Sequence, residues 1–120
     1  MEQGVEEVNW LIGHLVGDYL LQNDWQALNK KQSSYHCAVH VSFYIMAVFV
    51  FTQWPWWALL ITAVCHFVQD RTGVIRWYMR IMGQEKFATG PCSPWSIIVV
   101  DNVFHLVQLY LTSLAVEYVK

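Results

Sequence analysis

The sequence has little charge and no dense basic segment. Charged residues make up 13% of the 120 residues and hydrophobic residues 56%, with a formal net charge of -2. A soluble domain usually carries about 25% charged residues. A nucleic-acid-binding protein would show a basic patch or stripe, so we do not expect a nucleic-acid partner. The composition favours a single domain, residues 1–120, that lies in a membrane or is almost wholly buried.

Cysteine is also scarce. The three cysteines, Cys37, Cys65 and Cys92, form no CxxC motif. This disfavours both a zinc knuckle and a disulfide framework, so we interpret the cysteines as small apolar packing residues. A basic start is missing as well, since the chain opens with MEQGVEEV. A cleaved signal peptide begins with a basic region, so we expect the first segment to belong to the mature protein.

Long uncharged runs are the main positive feature. Residues 41–65 carry no charged side chain, and Pro55 divides this run in two. A helix that is apolar on all sides is buried or spans a membrane, and a spanning helix needs about 20 residues. We therefore predict an all-α, integral membrane four-helix bundle with up-down-up-down topology. The predicted helices cover residues 5–24, 35–53, 56–71 and 95–118.

The connection between the third and fourth helices has a structure of its own. Residues 73–82, GVIRWYMRIM, place Arg76 and Arg80 four residues apart among apolar side chains. This pattern predicts a short amphipathic helix lying in the membrane interface, which Gly83 could end. Residues 84–95 contain two prolines and a glycine, so we predict a loop there.

Basic residues and tryptophans predict the orientation. Six of the seven lysines and arginines lie in the first and third connections between the helices. The positive-inside bias places these connections in the cytoplasm and both termini outside. Tryptophans cluster towards both ends of the predicted helices, as expected at membrane interfaces. The sequence therefore predicts an integral protein of a membrane such as the bacterial inner membrane.

Histidine and aspartate recur at one spacing. Four pairs are separated by four residues: His14 and Asp18, His36 and His40, His66 and Asp70, and Asp101 and His105. Each pair lies on one face of its helix. The pairs come late in the first and third helices and early in the second and fourth. An alternating bundle would therefore bring all eight side chains towards the cytoplasmic side.

The cost of burying these groups suggests a metal. One ionisable group in the hydrocarbon region costs about 2.5–3.5 kcal/mol on insertion scales. Imidazole and carboxylate bind zinc, iron or manganese, and eight ligands are too many for one tetrahedral zinc. We predict two divalent metal ions held by these eight residues, with an aspartate bridging them. Two alternatives are a metal-free polar network, including a proton relay, and a haem with two histidine ligands.

Other polar residues lie beside the pairs. The amides of Gln22, Gln69, Asn102 and Gln108 could orient ligands, and Tyr19 and Tyr35 could donate hydrogen bonds to a substrate. Asp24 could act as a general base. We predict Asp24 and the neighbouring Gln22 as the catalytic residues. Gly13 and Gly17 form a GxxxG motif that lets another helix approach closely. That helix could belong to the same bundle or to a second subunit of a homo-oligomer.

These motifs resemble those of a known family. The stretch HLVGDYLLQNDW at 14–25, His36 and His40, HFVQD at 66–70 and DNVFH at 101–105 resemble an uncharacterised family of small four-helix bacterial and phage membrane proteins. That family carries HxxGDxxLQ, HxxxD and DxxxH motifs, and the likeness covers nearly the whole chain. It implies an architecture and no activity. Asn102 stands where the family pattern has glutamine. A looser likeness connects the chain with membrane-bound metal-dependent hydrolases.

The patterns together favour one function over two alternatives. We predict a membrane-embedded, dinuclear metal-dependent hydrolase that acts on a lipid or lipid-linked ester or phosphoester near the cytoplasmic leaflet. The first alternative is a transporter or channel for a metal ion or protons. The second is a structural or partner-binding membrane protein in which a metal staples the helices together.

Overall fold

The computed structural model describes the backbone of residues 3–120 and the side chains of residues 7–120. Met1 and Glu2, which belong to the predicted uncleaved start, lie outside this part. The described chain is all-α, as predicted, and contains no strand. Its helices are α1 (Gln3–Leu15), α2 (Asp24–Asn29), α3 (Ser34–Thr52), α4 (Trp56–Arg71), α5 (Val74–Ile81), α6 (Glu85–Thr89) and α7 (Trp95–Val119), and a π-helical turn (Val16–Leu20) follows α1.

The four longest helices pack side by side. Helix α1 contacts α3 and α7, and α4 contacts the same two helices. Each long helix therefore has two long neighbours, and the space between them is filled from all four. The apolar core consists of Trp10, Tyr44, Val48, Trp54, Ala58, Leu109 and Val116.

The outer surface of the helices is apolar. Helices α3 and α7 are long and apolar enough to cross a membrane, and α4 with α5 would make a third span if that pair, bent by 73°, is counted as one. Large apolar side chains such as Leu60, Val64 and Leu111 are more than half exposed. Soluble monomers rarely expose extended apolar surface. The structure is thus compatible with a membrane protein of two or three spans.

The first predicted helix is interrupted. Residues 5–24 were expected to form one helix, but α1 ends at Leu15 and the π-helical turn follows. The Leu21 amide donates to the Val16 carbonyl, five residues back, at 3.0 Å. Asn23 then caps a new helix, α2, because its side chain accepts a hydrogen bond from the Gln26 amide at 2.9 Å. A capping residue followed by glutamine three positions later is a helix-start signal, and here it begins α2 where the predicted helix was expected to end.

The third predicted helix, 56–71, has the predicted limits, and the second, predicted at 35–53, lies one residue earlier at Ser34–Thr52. Ser33 caps α3, its side chain accepting from the His36 amide. Gln53 ends α3 in a left-handed conformation with φ of 55°, and Pro55 precedes α4. The predicted division at Pro55 therefore lies between two long helices.

The connection between α4 and α7 contains two helices where one helix and a loop were predicted. Helix α5 lies within the predicted segment 73–82, and α6 forms inside the predicted loop. Ile75 and Met79 of α5 and Ala88 of α6 form a second buried cluster with partly buried residues of α7. Burial of this apolar face orders a segment that its prolines and glycine alone would leave irregular.

The GxxxG motif serves packing within the chain. A Cβ atom added at Gly13 would lie 3.0 Å from the Val48 Cα, and one at Gly17 would lie 2.7 Å from the Tyr44 Cδ2. Both glycines therefore allow α1 and the π-helical turn to approach α3. Packing within the chain is enough to explain the motif. The motif therefore gives no evidence for the predicted homo-oligomer.

The cysteines are free thiols. Cys37 is fully buried, which agrees with a packing role, whereas Cys65 and Cys92 are exposed. The packing interpretation therefore holds for Cys37 only.

Candidate metal centre

Six of the eight predicted ligands lie together in one layer of the structure. The π-helical turn supplies one, α3 one, and α4 and α7 two each. We call this group the polar layer; its members are Asp18, His40, His66, Asp70, Asp101 and His105. Five of them are buried, and only the Asp101 side chain is a quarter exposed. The predicted convergence of ligand-type side chains is therefore present for these six residues.

Four ligand atoms form a tight first group. The Nε2 atoms of His40 and His66 lie 3.1 Å apart. Each of them lies 3.0 Å from the Asp70 Oδ2 and 3.1 or 3.2 Å from the Asp18 Oδ1. A tetrahedral zinc with bonds of about 2.0–2.2 Å separates its ligand atoms by about 3.3–3.6 Å. The group could hold a metal ion after an outward shift of a few tenths of an ångström.

Hydrogen bonds alone leave this layer incompletely satisfied. An imidazole Nε2 carries at most one proton, yet each of these two nitrogens faces two carboxylates and the other ring. The buried Asp18 Oδ1 has no hydrogen-bond partner, and neither has the buried His105 Nε2. Buried polar atoms without partners are rare and call for an explanation such as an ion. A cation among the four atoms of the first group would give the Asp18 Oδ1 a partner, and a cation beside Asp70 and Asp101 would give the His105 Nε2 one.

A second group shares one residue with the first. The His105 Nε2 lies 3.3 Å from the Asp70 Oδ1 and 3.4 Å from the Asp101 Oδ2. Asp70 thus presents Oδ2 to the first group and Oδ1 to the second. A carboxylate in this position can bridge two ions, which is the arrangement the sequence predicted. Two sites can therefore be drawn around Asp70, one with four protein ligands and one with three.

Neighbouring side chains hold the ligands in place. Gln69 donates from its Nε2 to the Asp101 carbonyl at 2.7 Å and to the Asp101 Oδ1 at 3.0 Å. The Tyr44 ring stacks on His66 with ring centres 3.7 Å apart, and His66 stacks on His105 at 4.0 Å. Gln69 therefore occupies the orienting position that was predicted for it. Gln108 instead donates to Thr62 and Thr112, away from the ligands.

Two predicted ligands lie outside both groups. His14 is fully buried, but its Nδ1 pairs with the Tyr44 hydroxyl at 2.8 Å and its Nε2 with the Asn102 Oδ1. Both ring nitrogens are therefore engaged, although Nδ1 lies 3.9 Å from Asp18. His36 is half-buried and stacks against Trp25 with ring centres 4.0 Å apart. His36 and His40 are spaced four residues apart on α3. The His40 ring joins the polar layer, whereas the His36 ring lies against Trp25.

The two predicted catalytic residues and the two tyrosines lie at the margin. Asp24 is exposed in the first turn of α2. Gln22 accepts a hydrogen bond from Lys30 at 2.8 Å. Tyr19 donates to Asn102 at 3.4 Å, while Tyr35 is exposed beside Trp25. None of these four residues belongs to a ligand group of the described chain.

Lys30 and Gln26 were not singled out from the sequence. The Lys30 Nζ lies 3.1 Å from the Asp70 Oδ2, and the Gln26 Oε1 lies 3.4 Å from the His40 Nδ1. Burial disfavours the charged form of Lys30, but nearby Asp70 and Asp18 outweigh it and raise its pKa. The Asn23 cap would have predicted α2. Residues 26 and 30 would then have shared one helix face.

The charge balance of the layer favours a divalent ion. Three aspartates and one lysine leave two net negative charges if the histidines are neutral. An uncompensated charge is costly in a buried site. One divalent cation would balance the two negative charges of the layer. A second divalent cation would make the layer positive and attractive to an anion.

No protein-family model, curated protein or solved structure matches this chain.

Proposed function

We propose that this chain is a membrane-embedded, metal-dependent hydrolase with two divalent cations bound in the polar layer. The observation that carries the proposal is the set of 3.0–3.2 Å distances among atoms of Asp18, His40, His66 and Asp70, in which the buried Asp18 Oδ1 has no hydrogen-bond partner. Divalent cations bound here would lower the pKa of a water molecule towards neutrality and offset negative charge on an ester oxygen.

The two groups are suited to different tasks. Structural zinc sites are closed by four protein ligands, whereas catalytic sites keep a position open beside three. The first group has four ligands and is buried, so we assign it the structural ion. The second group has three, and its Asp101 lines a cavity that opens to the surface. We assign the catalytic ion to that group.

The proposed reaction is ester hydrolysis. The oxygen of a water molecule bonds to the acyl carbon or phosphorus of the ester, and the bond from that atom to the alkoxy oxygen breaks. One proton of the water ends on the alcohol that leaves, and the remaining hydroxyl stays on the acid. Because the exposed helix surfaces are apolar, we propose a lipid or lipid-linked ester that enters from the cytoplasmic leaflet.

Transport through the layer is less well supported. Thr62, Gln108 and Thr112 continue from the ligands along α4 and α7, but their hydrogen bonds satisfy one another. Beyond them lie the buried apolar residues Ala58 and Val116. An ion leaving the layer in this direction would meet no further ligand, so the geometry favours a site that retains its ions.

Metal analysis of His66→Ala tests the proposal. We expect the purified protein, exposed to zinc or manganese and then dialysed, to retain two equivalents of metal and to hydrolyse a water-soluble nitrophenyl ester. His66→Ala should lose the metal of the first group. His36→Ala is the matched control, because His36 lies outside both groups and the variant should retain both equivalents.

Three results would contradict the proposal. A folded, metal-free protein after exposure to metal would favour the polar network. A Soret band would assign the histidines to haem. Two equivalents of metal without hydrolysis of any ester would leave a metal-stapled structural protein.

A further inference from the structure

The cavity above the second ligand group has a distinctive lining. It has a volume of about 190 Å³ and reaches from the polar layer to the surface at the bend between α4 and α5. Its floor includes Asp70 and Asp101. Its wall includes the cations Lys30, Lys31 and Arg76 and the apolar side chains Ile75, Ile97 and Ile98. An enclosure of this size suits a small headgroup and the first carbons attached to it.

The three cations have different surroundings. The Lys30 Nζ binds Asp70, and the Lys31 Nζ donates to the carbonyls of Asp70 and Thr72 at the end of α4. Arg76 is exposed, and no hydrogen bond or ion pair to another described residue engages its guanidinium. Arg76 is therefore the cation of the wall that is available to a ligand.

The backbone adds to the positive character of the wall. Helix α5 begins beside the cavity after Gly73, and no side chain caps its N-terminus. Free amide groups and the helix dipole favour an anion at such an end. Guanidinium also binds phosphate in a bidentate manner. The wall thus offers the Arg76 guanidinium and the first amide groups of α5 as donors to an anion.

We propose that this cavity binds the phosphate group of a phosphate ester carried by an amphiphile, with Arg76 as a substrate-binding residue. The inference rests on the proposed function, because ions in the polar layer must offset the charges of Asp70 and Asp101 before an anion can lie above them. The isoleucine side chains bind the first carbons of the apolar chain. A neutral ester would leave Arg76 without a partner, and a cationic amphiphile would meet three like charges.

Calorimetric titration of the zinc-loaded protein in a neutral detergent tests the assignment. The probes are inorganic phosphate, hexyl phosphate and hexyltrimethylammonium. We expect hexyl phosphate to bind about tenfold more tightly than inorganic phosphate, which corresponds to about 1.4 kcal/mol. Arg76→Gln should weaken hexyl phosphate binding about tenfold. Arg80→Gln is the matched control, because Arg80 lies one turn further along the same helix and outside the cavity.

The outcomes separate this inference from the proposed function. Equal binding of hexyl phosphate by the two arginine variants and the parent protein would overturn the cavity assignment. Inorganic phosphate binding as tightly as hexyl phosphate would reassign the cavity to free phosphate and overturn the amphiphile. Competition by hexyltrimethylammonium would overturn the anionic preference. Zinc analysis of the same samples shows whether the metal proposal has failed instead.

A second measurement locates the bound phosphate. With manganese in place of zinc, we expect strong broadening of the phosphorus-31 resonance of hexyl phosphate in the parent protein and in Arg80→Gln. Arg76→Gln should reduce the broadening at the same concentrations. Manganese-loaded protein that binds hexyl phosphate without broadening its resonance would place the ligand elsewhere and overturn the inference.

Discussion

The two halves of this small protein are held together by different forces. One half contains the polar layer, with three fully buried histidine rings and the buried Asp70. The interior of the other half, between the same helices, is mainly apolar and includes Val48, Ala58 and Leu109. The apolar half is stabilised mainly by the burial of apolar side chains, which is directionless. The polar half is stable only if its charges compensate one another, so its atoms must meet at defined distances.

This difference explains why the polar half carries the candidate function. A packed apolar core tolerates changes of side chain when volume is conserved. A layer of buried acids and imidazoles tolerates none without leaving a charge unpaired. If the compensating charge is a metal ion, substitutions in the two halves should be separable, since one set changes metal content and the other changes stability only.

The largest expected effect follows substitution of the shared ligand. Asp70→Asn removes a charge from both ligand groups, so we expect both metal equivalents to be lost. The loss of affinity should exceed the roughly 10–100-fold that follows loss of a residue supporting a ligand. Metal analysis after dialysis measures it. Asp24→Asn serves as control, because Asp24 is exposed in α2; equal metal content in the two variants would contradict the bridging role.

A large but different effect is expected in the apolar half. Leu109 is fully buried one turn after His105, and Leu109→Ala should lower the free energy of unfolding by about 2–5 kcal/mol. Below its new unfolding temperature the variant should still bind two equivalents of metal. Thermal unfolding in detergent and metal analysis of the same sample measure both quantities. Loss of metal from the folded variant would show that the two halves are not separable.

A substitution at the boundary between the two halves should have an intermediate effect on both stability and metal binding. In Gly17→Ala, the new Cβ would lie 2.7 Å from the Tyr44 Cδ2, and Tyr44 stacks on His66. We expect a loss of about 1–3 kcal/mol in stability, together with weaker metal binding. Gly73→Ala is the matched control, since a Cβ there meets nothing within 4 Å. An equal change in both variants would mean that the Tyr44 contact is not responsible for the loss.

A smaller effect should distinguish the two glutamines. Gln69 donates to Asp101, whereas Gln108 donates to Thr62 in the adjoining region. Gln69→Leu should weaken the second metal about 10–100-fold and leave the first bound. Gln108→Leu should alter stability alone. Competition with a chromogenic chelator gives both affinities, and a simultaneous loss of both ions in Gln69→Leu would contradict the assignment of two separate sites.

The smallest expected effect concerns pH. Because the folded protein raises the pKa of Lys30 above its ordinary 10.5, the ammonium stabilises the fold at every pH below that value. This contribution disappears only as pH rises through the folded pKa. The stability difference between the metal-free parent and Lys30→Gln should therefore be constant from pH 8 to about pH 10 and fall above it. A difference that already declines near pH 8 would mean that Lys30 is not paired with Asp70.

Much of the architecture was predictable because hydrophobic pattern and breaker residues are local signals. The all-α class, the limits of α3 and α4 around Pro55, and the helix within residues 73–82 agree with the structure. The interruption of the first helix was missed. It coincides with the π-helical turn, which the sequence pattern of apolar residues does not reveal.

The candidate site was predictable to a similar extent. Spacing of four residues identified helix faces, and six of the eight side chains converge. His14 and His36 do not join, because their rings are engaged by Tyr44 and Trp25. Lys30 was interpreted only as a marker of orientation. Its contact with Asp70, 40 residues away in sequence, depends on the packing of α2 against α3, which no local pattern encodes.

The amino-acid sequence determined that the chain is helical, that its helices are too apolar for an ordinary soluble surface, and that acids and imidazoles recur at one helical spacing. These are properties of neighbouring residues, and periodicity expresses them directly. The tertiary structure decided which of those groups face one another, that Asp70 is shared, and that a cavity with a free arginine opens above it. Such relations depend on the rotation and bending of whole helices, and a shift of one residue at the π-helical turn is enough to change them.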